Sequence, residues 1–131
     1  MVNLVRVPEL AQTVQYAYAA VIDGPVRGVW TAGACPLDAD GATVAPGDVA
    51  GQTHQAMRNL VAALKAAGAG PRDIVKTTIY VASPDRADLT EAWTAYHADM
   101  DGHDAPSTLL GVAMLGYPDQ LVEIEAVAVV R

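Results

Sequence analysis

Gly47 to Val81 reads GDVAGQTHQAMRNLVAALKAAGAGPRDIVKTTIYV, and this stretch decides the fold. In its first half Val49, Thr53, Met57, Leu60, Val61 and Leu64 recur at helical spacing behind Asp48 as N-cap, until Gly68 and Gly70 end the run. Its second half, Asp73 to Val81, alternates instead. Val75, Thr77, Ile79 and Val81 fall on one face and Lys76, Thr78 and Tyr80 on the other, the pattern of a half-buried strand.

Working downstream, Ser83 and Pro84 open a second helix as N-cap and first-turn proline, with Leu89, Ala92, Trp93 and Tyr96 as its apolar stripe and an end near Met100. The breaker-rich DGHDAP (Asp101 to Pro106) follows. Thr108 to Leu115 and Leu121 to Val130 then read as strands joined by the turn Gly116-Tyr117-Pro118-Asp119. Upstream, YAYAAVI (Tyr16 to Ile22) and GVWTAG (Gly28 to Gly33) read as a hairpin turning at Asp23-Gly24-Pro25. After Pro36 and the turn residues Asp38, Asp40 and Gly41 comes a short extended ATVA. The expected order is βββαβαββ, an α+β architecture with one mixed β-sheet and two helices packed on one face. The other face, carrying Thr78 and Tyr80, needs cover, and closed association of identical chains is the economical way to supply it.

The 131 residues form one domain, 1–131, with no repeat or linker. An apolar content of 52% against 18% charged residues suffices for a core. Eight Lys and Arg against 15 Asp and Glu leave a formal charge of −7, a surface that repels phosphate backbones, so no nucleic acid is expected as a partner. The N-terminus MVNLVRVPEL lacks the charged and apolar regions of a signal peptide, and no membrane-length apolar run exists. Together with a single cysteine, Cys35, this predicts a cytoplasmic protein with no membrane partner.

Glu123 and Glu125 stand two apart on the last strand, so both carboxylates project from one face, roughly 7 Å apart, among apolar neighbours. Such a carboxylate can act as general acid or base or hold a water; the alternative is that both are solvated or paired at a subunit boundary. Cys35 follows Thr31-Ala32-Gly33, where a glycine allows close backbone approach, yet a free cysteine is more often an inert small hydrophobe than a nucleophile. His54, His97 and His103 lack metal-ligand spacing and read as surface histidines, so no metal is expected. The glycines of TAGACPLDADG and AAGAGP fit turns and helix ends, not a phosphate loop.

Taken together, TAGACPLDADG (Thr31 to Gly41), the Gly47 to Val81 stretch and LVEIEAVAV (Leu121 to Val129) resemble the Rid superfamily, also called YjgF/YER057c/UK114 or endoribonuclease L-PSP. The resemblance covers about Tyr16 to Val129. It implies a chorismate-mutase-like (Rid/YjgF) fold and a homotrimer with clefts between neighbouring subunits. It also implies hydrolysis of reactive enamines and imines to 2-keto acids and ammonia, without cofactor or metal. Carried over by position, Glu123 matches the glutamate that positions water and Tyr16 the cleft tyrosine. Gly33 and Ala34 match the loop whose backbone faces the ligand, with Cys35 where an aliphatic residue is usual. The family's carboxylate-binding arginine falls on Ser107, and no arginine lies between Arg86 and Arg131.

The expected function is therefore action on a small reactive metabolite, of the imine or enamine hydrolysis type, with weak or no 2-imino acid deamination. A non-catalytic trimeric module that binds or senses a small-molecule ligand stays open beside it. A ribonuclease ranks last, because it needs a basic surface.

Overall fold

The computed structural model describes residues 2–131 and contains six strands and two α-helices: β1 Val2–Val5, β2 Ala19–Ile22, β3 Arg27–Trp30, α1 Val49–Ala66, β4 Ile74–Val81, α2 Arg86–Ala98, β5 Ser107–Gly111 and β6 Val122–Val130. The order βββαβαββ is as expected, but the first three strands are not the expected ones. Val2–Val5 is too short to announce itself, and it pairs antiparallel with β2 as a separate ribbon. The expected hairpin between the second and third strands does not form, because β3 pairs instead with β6. Around ATVA the backbone makes one isolated bridge, Leu37 to Thr43, in place of a strand.

The main sheet is mixed, in the order β3-β6-β4-β5. β6 runs antiparallel to both β3 and β4, while β5 lies parallel to β4 across the α2 crossover. Thus the expected single sheet is a four-stranded sheet plus a ribbon.

Both helices cover one face. Met57, Leu60 and Leu64 of α1 and Ala92 and Tyr96 of α2 close on Ile79, Val81, Ile124 and Ala128 of the sheet. β6 keeps strict alternation from Val122 to Ala126 and so offers one dry face. β4 departs from it: the register with β6 shifts between Ile74 and Lys76, so Ile74, not Val75, joins Thr77, Ile79 and Val81 inside. The fifth strand ends at Gly111, short of the expected Leu115. The chain there presses on the start of the α2 crossover, since a Cβ on Gly111 would lie 2.9 Å from the Ser83 carbonyl oxygen.

Helix ends follow local chemistry. Asp48 caps α1, its carboxylate accepting from the Gly51 amide at 2.9 Å. The expected Ser83 cap of α2 is displaced by two residues: Asp85 accepts from the Ala87 amide at 2.9 Å, and Ser83 Oγ instead donates to Asp88 at 2.7 Å. Among the described residues no helix is long and apolar enough to cross a membrane.

Candidate functional site

The alternation that buries Val122, Ile124 and Ala126 sends Glu123 and Glu125 to the sheet face that the helices leave open. Their carboxylates meet different fates. Tyr80 lies beside Glu123 in register on β4, but its hydroxyl donates a short hydrogen bond to Glu125 Oε1. The Glu125 carboxylate, as hydrogen-bond partner, is the main cause that raises the Tyr80 phenol above its ordinary range.

Glu123 is held from three sides. Its Oε1 accepts from Gln120 Nε2 at 3.1 Å and from Cys35 Sγ at 3.2 Å. Its Oε2 fills the space that a side chain on Gly33 would take, 2.1 Å from an ideal Cβ there. Gly33 is thus required for close approach, because no other residue leaves room for the carboxylate. Burial and then the hydrogen bond to Glu123 push the Cys35 thiol up to about 11, with Gln120 offsetting part of the rise. The thiol therefore stays protonated at neutral pH and is not a nucleophile.

Cys35 is carried by a short bridge in which Ala34 and Ile124 exchange both backbone hydrogen bonds, at 2.7 and 3.1 Å. That pairing commits the Ala34 amide to the sheet. The Cys35 amide, next along the chain from this bridge, points away from β6 by strand alternation. From α1, Asn59 ties the loop down by donating both amide hydrogens, to the carbonyls of Cys35 at 2.8 Å and Leu37 at 2.9 Å. An open cleft of about 640 Å³ lies along this loop, walled by Gly33, Cys35, Leu37, Gln55, Asn59 and Tyr117.

Tyr16 and Ser107 share a different cleft, of about 490 Å³, with Gln15, Trp93 and Leu109. Tyr16 meets the Trp93 ring edge-on at 6.1 Å, and Trp93 Nε1 donates to Gln15 Oε1 at 2.9 Å. Here Ser107 points toward the helices. Its hydroxyl donates to the Ala105 carbonyl at 2.9 Å, lies 2.7 Å from Thr77 Oγ1 and 3.1 Å from the Tyr96 hydroxyl, and the latter two hydroxyls are 2.7 Å apart. Three hydroxyl protons serve one closed network, with none left for a ligand. Ser107 lines this cleft with its hydroxyl engaged in that network.

The chain therefore divides the expected site residues. Gly33, Cys35 and Glu123 come together, with Ala34 as their backbone anchor, whereas Tyr16 and Ser107 gather at the β5 edge on the helix side. Sequence reading missed Gln120, Asn59 and Trp93 as site residues. Gln120 looks like an ordinary turn residue, and its 4% exposure is the signal that only the structure supplies. The histidines also separate. His54 pairs with Asp99 at 2.7 Å and His97 with Asp104 at 2.9 Å, both half-buried. His103, expected at the surface, is buried and bonded to the Ile74 carbonyl at 2.7 Å, where it tethers the loop before β5.

The endoribonuclease L-PSP family model matches residues 8–130. Among proteins of known annotation, a 2-iminobutanoate/2-iminopropanoate deaminase of Salmonella typhimurium is 38% identical over 106 residues, 79% of this chain and 80% of that one. A RutC family protein of Pyrococcus horikoshii is 32% identical over 101 residues, 76% and 77% of the two chains. Among solved structures, the Rid protein YyfB of Yersinia pestis superposes with a TM-score of 0.88 at 30% identity, covering 97% of each chain. The YjgF gene product of Escherichia coli gives 0.68 at 33% identity, covering 92% and 91%.

Proposed function

The chain belongs to the endoribonuclease L-PSP (Rid/YjgF) family, and from that premise we propose that it hydrolyses a small imine or enamine, with Glu123 as the base and with weak or no activity on 2-imino acids. The observation that carries the reading is the Glu123 carboxylate: held at one oxygen by Gln120 and Cys35, unpaired at the other among the described residues, and set on the open sheet face. A base needs that combination of fixed direction and a vacant lone pair.

In the reaction, Glu123 takes a proton from water as the water oxygen bonds to the imine carbon and the C=N π pair moves to nitrogen, which gains a proton from solvent. The resulting carbinolamine loses ammonia: a second proton reaches nitrogen, the C–N bond breaks, and the hydroxyl gives up its proton as the carbonyl forms. Water and imine go in; carbonyl compound and ammonia come out. An enamine enters the same course after taking a proton on carbon. The Cys35 amide is placed to attract developing negative charge.

Substrate preference follows from Ser107. Where a guanidinium would hold a carboxylate with two charged hydrogen bonds, the Ser107 hydroxyl has no proton to spare. Tyr16, Trp93 and Leu109 instead offer an apolar, aromatic wall. In one protomer Glu123 and Ser107 lie on opposite faces of the sheet, so a site that uses both groups needs a second copy, and a homotrimer with three intersubunit clefts meets that need. The formal charge of −7 disfavours RNA as a substrate.

The test uses two probes: 2-iminobutanoate made in situ by a dehydratase, and the neutral imine released from benzylamine by a flavin amine oxidase. Ammonia release by wild type is expected to exceed background for the second probe and to stay near background for the first. Ser107→Arg should raise the first. Acceleration of neither imine would overturn the hydrolase reading and leave the binding module.

A further inference from the structure

The two oxygens of Glu123 are not equivalent, and the side chains of Gln120 and Cys35 make them so. Gln120 is buried at 4% exposure in the turn before β6. Its Oε1 accepts from the Tyr117 amide at 3.1 Å, while Nε2 donates both hydrogens, to the Val122 carbonyl and to Glu123 Oε1, each at 3.1 Å. A flipped amide would face a carbonyl and a carboxylate with an acceptor and the Tyr117 N–H with a donor, so only this orientation is allowed. Cys35 adds its S–H to the same Oε1. Among the described residues none donates to Oε2, which rests where Gly33 lacks a Cβ.

We infer that Gln120 and Cys35 are positioning residues that occupy Oε1 of Glu123 and thereby select Oε2 as the oxygen that takes the proton. This rests on the reading of Glu123 as the base. Occupation by two donors makes Oε1 the poorer acceptor, and the fixed Oε1 leaves the second oxygen no freedom to rotate from its place over Gly33. Cys35 matters here as a donor, and a hydroxyl serves equally well. The other titratable groups on this face are Tyr80 of β4 and Glu125 of β6, paired with each other, and Lys76 of β4, which donates to Thr108.

The single cysteine allows a test that needs no substrate. The pH dependence of Cys35 alkylation by iodoacetamide, followed by mass spectrometry of the intact protein, reads the thiol midpoint. Wild type should titrate near 11. Glu123→Gln should lower the midpoint by roughly one unit, because the carboxylate acceptor is gone, and Gln120→Leu should raise it. An unchanged midpoint in Glu123→Gln overturns the clamp, whatever the turnover. Steady-state hydrolysis of the benzylamine-derived imine supplies the second readout. Cys35→Ala should lower kcat with KM unchanged and shift the acid limb of its pH profile, and Cys35→Ser should restore both. Equal loss in Cys35→Ala and Cys35→Ser would also overturn it. Should Gln120→Leu fail to fold, the cysteine pair still decides. Full turnover by Glu123→Gln with the midpoint shifted as expected would overturn the base and leave the clamp standing.

Discussion

Two hydrogen-bonded clusters flank the sheet, and they differ in what they leave over. On the helix side, Ser107, Thr77 and Tyr96 share three hydroxyl protons among themselves and the Ala105 carbonyl, with every donor used. On the open side, Gln120 and Cys35 serve one oxygen of Glu123 and leave the other without a donor. The first cluster is closed; the second leaves one carboxylate oxygen without a donor among the described residues, the feature on which the proposed chemistry rests. Hydrogen-bond completeness, more than the identity of the polar residues, separates the two.

The comparison breaks most sharply at Glu123. Removing the base in Glu123→Gln should cost about 10²–10⁴-fold in turnover of the benzylamine-derived imine while leaving the fold intact by circular dichroism. Equal turnover would mean that the open oxygen is idle. Gly33→Ala should come next, at roughly 10²-fold, because the added methyl would occupy the Oε2 position and displace the carboxylate by an ångström or more; its ammonia release beside wild type checks this. On the closed side the effect should appear in stability and not in turnover. Ser107→Ala leaves the Ala105 carbonyl without its donor and one of the Thr77 and Tyr96 hydroxyls without an acceptor, for a loss of about 1–2 kcal/mol in urea denaturation. A Ser107→Ala protein that loses more turnover than stability would erase the distinction between the clusters.

Stability also carries a pH term. The Cys35 thiol is raised in the folded chain from 9.0 to about 11, so the folded state keeps a proton that the unfolded chain has shed. Its contribution is complete below about pH 9 and fades as pH rises through about 11. Wild type minus Cys35→Ser, compared in denaturant at pH 8 and pH 10.5, should show a stability advantage that shrinks at the higher pH. At the small end, Glu125→Gln keeps an acceptor for Tyr80 and should alter turnover less than threefold, although Glu125 shares a strand face with Glu123.

How much of this was legible in the chain differs by element. α1 was readable because its apolar spacing, Asp48 cap and terminal glycines are all local. β6 was readable for the same reason, and with it the shared face of Glu123 and Glu125. Their unequal roles were not, because Tyr80 claims Glu125 across 45 residues and Cys35 reaches Glu123 across 88. β1 and the partner of β3 escaped detection because four-residue strands carry little periodic signal of their own. Ser107 was marked by position, but its contacts with Thr77 and Tyr96 were not legible, since nothing in its sequence neighbours announces them.

The sequence by itself determined the α+β class, the two helices, the family and the face on which the glutamates stand, since each is written in spacings of two to four residues or in short motifs. Only the tertiary structure decided that the sheet splits, that Gln120 and Cys35 grip Glu123 while Tyr80 takes Glu125, and that Ser107 joins Thr77 and Tyr96 in one hydroxyl network. Those outcomes depend on how a few directional donors and acceptors are shared among groups far apart in the chain, and that sharing exists only once the chain has closed on itself.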